Sequence, residues 1–297
     1  MTVVGFIGLG HMGCPMAANL IRAGHTVQGF DLAPAALQAA VAKGINAMTS
    51  AAEAARGAEV VITMLVAGRD VTSLYQGGLL DRAQPGTLFI DASTIDVASA
   101  RAAHDLAGAR GMASIDAPVS GGVAGAQAAT LTFMVGGDAA AVARARPLLE
   151  RMGRRIVHCG GPGAGQSAKI CNNMILGISM IAISEAFVLA EKLGLSHQAL
   201  FDVASTSSGE CWALTHHCPV PGPVPASAAN NDYQPGFAAA LMLKDLTLSQ
   251  EAAEAVGADT ALGRHAAEIY RRFVAERAEP IDYSAIIQSI RQSGGVP

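Results

Sequence analysis

Val3 to Ile7 is a short apolar, β-branched run that opens directly into Gly8-Leu9-Gly10-His11-Met12-Gly13. An amphipathic stretch to Ala23 follows, and then a second apolar run from Gly24 that ends in Asp31. Few folds accept strand, glycine turn, helix, strand and acid in that order. The first glycine permits a tight turn, the second lets backbone approach a pyrophosphate, and the third lets the helix pack on the strand. The helix N-terminus adds unpaired N–H groups and the positive end of its dipole. Asp31 stands where a carboxylate accepts hydrogen bonds from adenosine ribose hydroxyls and repels a 2′-phosphate, and Leu32-Ala33-Pro34 brings no arginine to reverse that preference. The expected cofactor is therefore NAD rather than NADP, held by Gly8, Leu9, Gly10, His11, Met12, Gly13 and Asp31. Asp31 also has a second reading, as the N-cap of a helix starting at Pro34.

The pattern repeats. Glu59 to Leu65 and Thr87 to Asp91 read as buried strands separated by Ala-rich helices, as in an open parallel sheet. Ligands collect at the carboxyl ends of such strands, so Met64, Leu65 and Val66, and Ala92, Ser93 and Thr94, are expected along the cofactor cleft. Met112 to Val119 leads into Ser120-Gly121-Gly122. A hydroxyl followed by two glycines with exposed N–H groups suits a carboxylate, and a flexible surface turn suits the same residues. Thr130 to Gly136, a helix from Asp138 and Arg155 to His158 complete an α/β, doubly wound, mostly parallel Rossmann-type sheet over residues 1–162.

A Gly-Pro-Gly turn at 161–163 then starts a stretch with no proline, closed by Gly194, which reads as one long connecting helix over 163–193. Lys169 and Asn173 are four residues apart on it and share a face, aiming an ammonium and a carboxamide at one point. A solvated first turn is the competing reading. The apolar part, Met174 to Ala190, is interrupted by Ser179, Ser184 and Glu185 and falls short of a usual bilayer span, so a buried helix is expected and no membrane. Residues 194–297 read as an all-helical substrate and oligomerisation domain. It is broken by a Pro-rich irregular insert that carries the single Trp, Trp212, either as a plug of the helical core or as a substrate contact.

At 297 residues and 51% hydrophobic the chain fills two domains. A net charge of −4 with interspersed signs points away from nucleic acid. Five scattered cysteines imply reduced thiols and a cytoplasmic setting. Met1 lies two residues ahead of the first strand, so no targeting segment is expected. Cys211, His216, His217 and Cys218 lack paired ligands at knuckle spacing, and no metal is expected.

Gly5 to Leu20 resembles the opening fingerprint of the β-hydroxyacid dehydrogenases. Asp116 to Gly122, Gly163 to Asn173 and Met242 to Leu246 resemble that family's other blocks, in order. Ser207 to Trp212, Pro219 to Gly222 and Asn231 to Phe237 are most similar to its 3-hydroxyisobutyrate dehydrogenase branch. The resemblance implies NAD-dependent oxidation of 3-hydroxyisobutyrate to methylmalonate semialdehyde, or of another small β-hydroxy acid such as L-serine, 3-hydroxypropionate, threonate or a tartronate-semialdehyde partner. It implies Lys169 as general acid/base, Asn173 orienting the substrate, and Ser120, Gly121 and Gly122 on the carboxylate. It also implies Trp212, Phe237 and Asp245 around the substrate, and Lys244 toward the nicotinamide ribose. A free lysine has a pKa near ~10.4, so such a site must lower it by burial or by a nearby positive nicotinamide. The related decarboxylating 6-phosphogluconate dehydrogenases carry a His-Asn pair and then an acid where this chain has Asn172, Asn173 and Leu176, so hydride transfer without decarboxylation is expected. Imine reductases of similar fold lack the lysine. A non-catalytic dinucleotide-binding protein is the remaining alternative. The apolar long helix points to a homodimer or homotetramer.

Overall fold

The computed structural model describes residues 1–293 and resolves the chain into two compact units, which divide between Lys169 and Ile170. The first unit holds nine strands: β1 Val3–Ile7, β2 Thr26–Phe30, β3 Asn46–Ala47, β4 Val60–Thr63, β5 Leu88–Asp91, β6 Ala113–Asp116, β7 Val119–Ser120, β8 Leu131–Gly137 and β9 Gly153–Gly160. They form one sheet in the order β3-β2-β1-β4-β5-β6-β8-β7, with β9 against β8. The first six are mutually parallel, whereas β8 runs antiparallel to β6 and β7 and parallel to β9. Val4, Phe6, Ile62, Leu88 and Ile90 enter one apolar layer, and Ile7, Val61 and Phe89 the other. Helices cover both faces, which is why these strands read as unbroken apolar runs rather than alternating ones.

The single run expected from Met112 to Val119 is divided. β6 ends at Asp116, and β7 pairs antiparallel with β8. Pro118 lies between them, has no N–H to donate and instead accepts from Met134 N at 3.0 Å.

In the second unit the long helix, Ala164–Lys192, continues from Ile170, and helices His197–Ala204, Trp212–Thr215, Ala239–Val256, Ala261–Ala275 and Ile286–Ser293 follow. Its core gathers Met180, Phe187, Met242, Leu246, Tyr270 and Phe273. Gly177 lets the long helix approach Ala239–Val256 closely: a Cβ there would sit 3.0 Å from Leu246 Cδ2. By length and composition the long helix is apolar enough to cross a bilayer. It nevertheless carries buried Gln166, Lys169, Asn173 and Ser184. The helix that carries Lys244 and Asp245 starts at Ala239. Ala238 bridges Asp282 there, and Ala239 N donates to Ile281 O at 2.8 Å. That start is made by a tertiary contact, which no local propensity encodes.

Candidate active site

The glycine loop after β1 meets three different steric demands. Gly8 has φ +93°, and a Cβ on it would lie 2.2 Å from Met64 O; one on Gly13 would lie 1.9 Å from Gly8 O. Gly10 has open space around its missing Cβ, as approach by a ligand to bare backbone requires. The helix Gly13–Arg22 begins at Met12 without a side-chain cap; Cys14 N donates to Gly10 O at 3.1 Å and Pro15 has no N–H, which leaves the N–H groups of Met12 and Gly13 to face phosphate oxygens. His11 is exposed beside them, while the Leu9 side chain is buried and only its backbone faces outward chemistry.

Asp31 ties this loop down. Its Oδ2 accepts from Leu9 N and its Oδ1 from Ala33 N, each at 2.7 Å. The next helix is capped at Ala33, with Pro34 as its first residue, so Asp31 stands ahead of the N-cap position. Each carboxylate oxygen has two acceptor sites, which leaves capacity for a ribose hydroxyl. The residues present therefore fit a dinucleotide.

Under the loop after β4 lies a buried polar network. Leu65 N donates to Ser93 Oγ at 2.8 Å, and Ser93 Oγ donates to Asp91 Oδ1 at 2.6 Å. Thr63 Oγ1 also donates to Asp91 Oδ1, at 2.8 Å, while Asp91 Oδ2 has no partner. Burial pushes the Asp91 carboxyl up to about 6, against the pull of the Ser93 and Thr63 hydrogen bonds. Val66 is exposed and Thr94 half-buried at the ends of these loops.

The same network reaches the catalytic candidate. Gln166 Nε2 donates to Ser93 O at 2.7 Å, and Gln166 Oε1 accepts from Ile95 N at 3.1 Å. Asp116, at the end of β6, accepts from Gly163 N at 2.8 Å and Gln166 N at 2.9 Å, and His104 Nε2 lies 3.0 Å from it. The carboxylate of Asp116 thus satisfies N–H groups at the start of the long helix, three residues before Lys169. Lys169 is 7% exposed, which removes the solvated-turn reading. Sequence reasoning gave no role to Gln166, Asp116 or His104. The only local signal was a polar residue one helical turn before the lysine.

Asn173, one turn beyond Lys169, is 2% exposed. Its Nδ2 donates to Asp245, and its Oδ1 accepts from Asn172 Nδ2 at 3.0 Å. Asp245 is itself buried, in the second turn of Ala239–Val256, and Lys244 beside it is half-buried. In the first unit Ser120 ends β7, and Gly121 and Gly122 both take positive φ, 130° and 61°, before the helix Gly122–Ala128. Only glycine makes that reversal without strain.

Trp212 is 53% exposed and plugs no core. It stacks on His216 at 5.6 Å and on His217 at 6.0 Å between ring centroids. Phe237 is half-buried and meets Tyr283 edge to face at 5.7 Å. The His216 and His217 rings are thus engaged in stacking, and among the described residues no group of three His, Cys, Asp or Glu could hold a metal ion.

Residues 3–161 match the family described as the NAD binding domain of 6-phosphogluconate dehydrogenase, and residues 163–290 the one described as NAD-binding of NADP-dependent 3-hydroxyisobutyrate dehydrogenase. A solved Mycobacterium tuberculosis structure, named a 3-hydroxyisobutyrate dehydrogenase with L-serine, is 57% identical, covers 98% of this chain and 99% of its own, and superposes with a TM-score of 0.95. Two Pseudomonas aeruginosa relatives each cover 96% of this chain and 97% of their own. One, a 3-hydroxyisobutyrate dehydrogenase, is 50% identical, and the other, an NAD-dependent L-serine dehydrogenase, is 49% identical. The two cofactor words in these descriptions differ, and a carboxylate placed as Asp31 is, with no arginine beside it, belongs with NAD. The chain is an NAD-dependent oxidoreductase of the β-hydroxyacid dehydrogenase family, most similar to its 3-hydroxyisobutyrate dehydrogenases.

Proposed function

We propose that this enzyme oxidises 3-hydroxyisobutyrate to methylmalonate semialdehyde, with Lys169 as the general base. The observation that carries the role assignment is the pair of buried polar side chains, Lys169 and Asn173, one turn apart on a helix whose first turn is pinned by Asp116 and Gln166. Fixed backbone on both sides of a catalytic group is what holds a reacting geometry. When bound, the nicotinamide supplies the two-electron acceptor at C4. Lys169 takes the proton of the substrate hydroxyl as hydride leaves the carbinol carbon, which becomes the aldehyde. Asn173, its amide oriented by Asn172 and Asp245, directs the hydroxyl toward that amine. Ser120 and the N–H groups of Gly121 and Gly122 hold the carboxylate. Lys244 serves the nicotinamide ribose, and Trp212 and Phe237 face the substituent on the carbon between carboxylate and alcohol. Leu176 supplies no acid to protonate an enol, so no decarboxylation follows.

L-Serine is the second reading. It differs from 3-hydroxyisobutyrate by an ammonium in place of a methyl, and an indole face receives either, the first through the ring quadrupole. NADH formation measured against a panel of small β-hydroxy acids decides between them. The expected result is the highest kcat/KM with 3-hydroxyisobutyrate; a preference for L-serine reverses the order. Lys169→Ala lowers turnover at least ~10²-fold with NAD affinity nearly intact, and retention of most of the rate removes the base. Asp31→Ala weakens NAD binding and relaxes discrimination against NADP.

We place the enzyme in the cytoplasm as a homodimer or homotetramer. All five cysteines are unpaired, in keeping with a reducing compartment. Ile175, Ala182, Ala186 and Leu189, with Leu193 just past the helix end, recur at three- to seven-residue intervals along one exposed side of the long helix, Ile175 at 64%, Leu189 at 58% and Leu193 at 75%. Such a stripe is what a self-complementary interface buries. Leu189→Glu is expected to lower the mass measured by light scattering.

A further inference from the structure

Asp282 is fully buried, and both its oxygens are filled by donors from three separate segments. Oδ1 accepts from His217 Nε2 at 2.7 Å, Ser284 Oγ at 2.7 Å and Ser284 N at 3.0 Å. Oδ2 accepts from Gly236 N and Phe237 N, each at 3.0 Å. Its own N–H donates to Tyr233 O at 2.9 Å. Asp282 therefore ties the end of the Pro-rich insert, at 233–237, to His217.

The rings carry this further. His217 lies between Trp212, 6.0 Å away at 12°, and Tyr283, 5.0 Å away at 21°, and Tyr283 in turn meets Phe237. Trp212 thus presents its half-exposed indole from a column whose middle ring is fixed by Asp282, and Phe237 hangs from the backbone N–H that the same carboxylate accepts.

We propose that the Asp282–His217 pair is a positioning device for substrate, setting Trp212 and Phe237 relative to each other so that the hydroxy acid meets preformed aromatic walls. The inference rests on the reading that Trp212 and Phe237 line the substrate pocket. Neither Asp282 nor His217 takes part in the chemistry. The cost of losing either falls on substrate affinity and not on the hydride or proton transfer.

Asp282→Asn keeps the shape and leaves donors facing a donor. His217→Ala removes the middle ring. His217→Phe keeps the stack and cuts its tie to Asp282. In folded Asp282→Asn and His217→Ala enzymes, KM for the hydroxy acid rises roughly tenfold while kcat and KM for NAD stay within about threefold. His217→Phe recovers part of the loss. Trp212 is the only tryptophan, so its emission reads the column directly; it changes in intensity and shifts to longer wavelength in His217→Ala. An unchanged hydroxy-acid KM in a folded variant overturns the proposal, and so does Trp212 emission that neither variant moves. Equal losses in kcat and both KM values would reduce the pair to structural support and overturn it as well. If wild-type enzyme turns over neither 3-hydroxyisobutyrate nor L-serine, the functional reading has failed. In that case the Trp212 emission of the variants still decides whether the pair positions the rings.

Discussion

Asp91 in the first unit and Asp282 in the second are both buried against loops, and their carboxyls shift in opposite directions. Asp91, under the cofactor loops of the sheet, concentrates its hydrogen bonds from Thr63 and Ser93 on one oxygen and leaves the other bare. Burial wins, and the carboxyl rises to about 6. Burial also opposes ionisation of Asp282. There the hydrogen bond and charge of His217, with the Phe237 N–H and Ser284, outweigh it and hold the carboxyl below its usual range. Depth alone therefore does not set the charge of a buried acid; the number of donors, and whether one is cationic, decides it.

Removing the acid that has five donors is expected to have the largest effect. Asp282→Ala leaves a histidine and four backbone or side-chain donors without their acceptor, a loss of about 3–5 kcal/mol. Urea denaturation at neutral pH measures it, and a loss below about 1 kcal/mol would break the contrast. Asp91→Asn acts in the other direction and depends on pH. Between the unfolded value of 3.8 and the folded value of about 6, the unfolded chain has released the Asp91 proton and the native state keeps it. Native protein then binds more protons, so this group's contribution falls as pH rises through that window and is level above it. Asparagine has no proton to lose and still presents an oxygen to Thr63 and Ser93. The stability of Asp91→Asn relative to wild type should grow from pH 4 to pH 6 by roughly 2–3 kcal/mol. A flat difference would mean that Asp91 is ionised in the native state at low pH. Asp282 works in a separate window: its contribution is present above pH ~4 and is lost as pH falls through its lowered value.

The contrast also explains what was legible in the chain. The glycine loop, Asp31 and the parallel strands could be read because their physics is local: a glycine is required where φ is positive, as at Gly8, or where backbone nearly touches, as at Gly13. Lys169 and Asn173 could be paired because helical spacing alone puts them on one face. Gln166 and Asp116, 50 residues apart, and Asp282 and His217, 65 apart, were not legible as pairs. Each joins segments through side-chain bonds that leave no periodic trace in sequence. The same holds for the start of the Ala239–Val256 helix, placed by Ala238 bridging Asp282. The break between β6 and β7 was not legible for a related reason: the antiparallel return of β8, which donates to the Pro118 carbonyl, comes from residues well downstream.

Tyr283 offers the smallest and sharpest version of the comparison, because its hydroxyl is buried next to Asp282 yet has no hydrogen-bond partner. Burial, with the negative charge of Asp282 added, keeps that phenol protonated far beyond neutral pH. Its ring is what the column uses, at 5.0 Å from His217 and 5.7 Å from Phe237. Tyr283→Phe removes an unsatisfied polar atom and keeps the ring, so stability should stay level or rise by up to about 1 kcal/mol. Trp212 emission and the hydroxy-acid KM should both be unchanged, in contrast to His217→Ala, which removes a ring from the same stack. A loss of stability above about 1 kcal/mol would show that the hydroxyl is satisfied in solution. The column would then depend on a polar contact at Tyr283 as well as on Asp282, and the difference between saturated and bare groups would no longer separate the two sites.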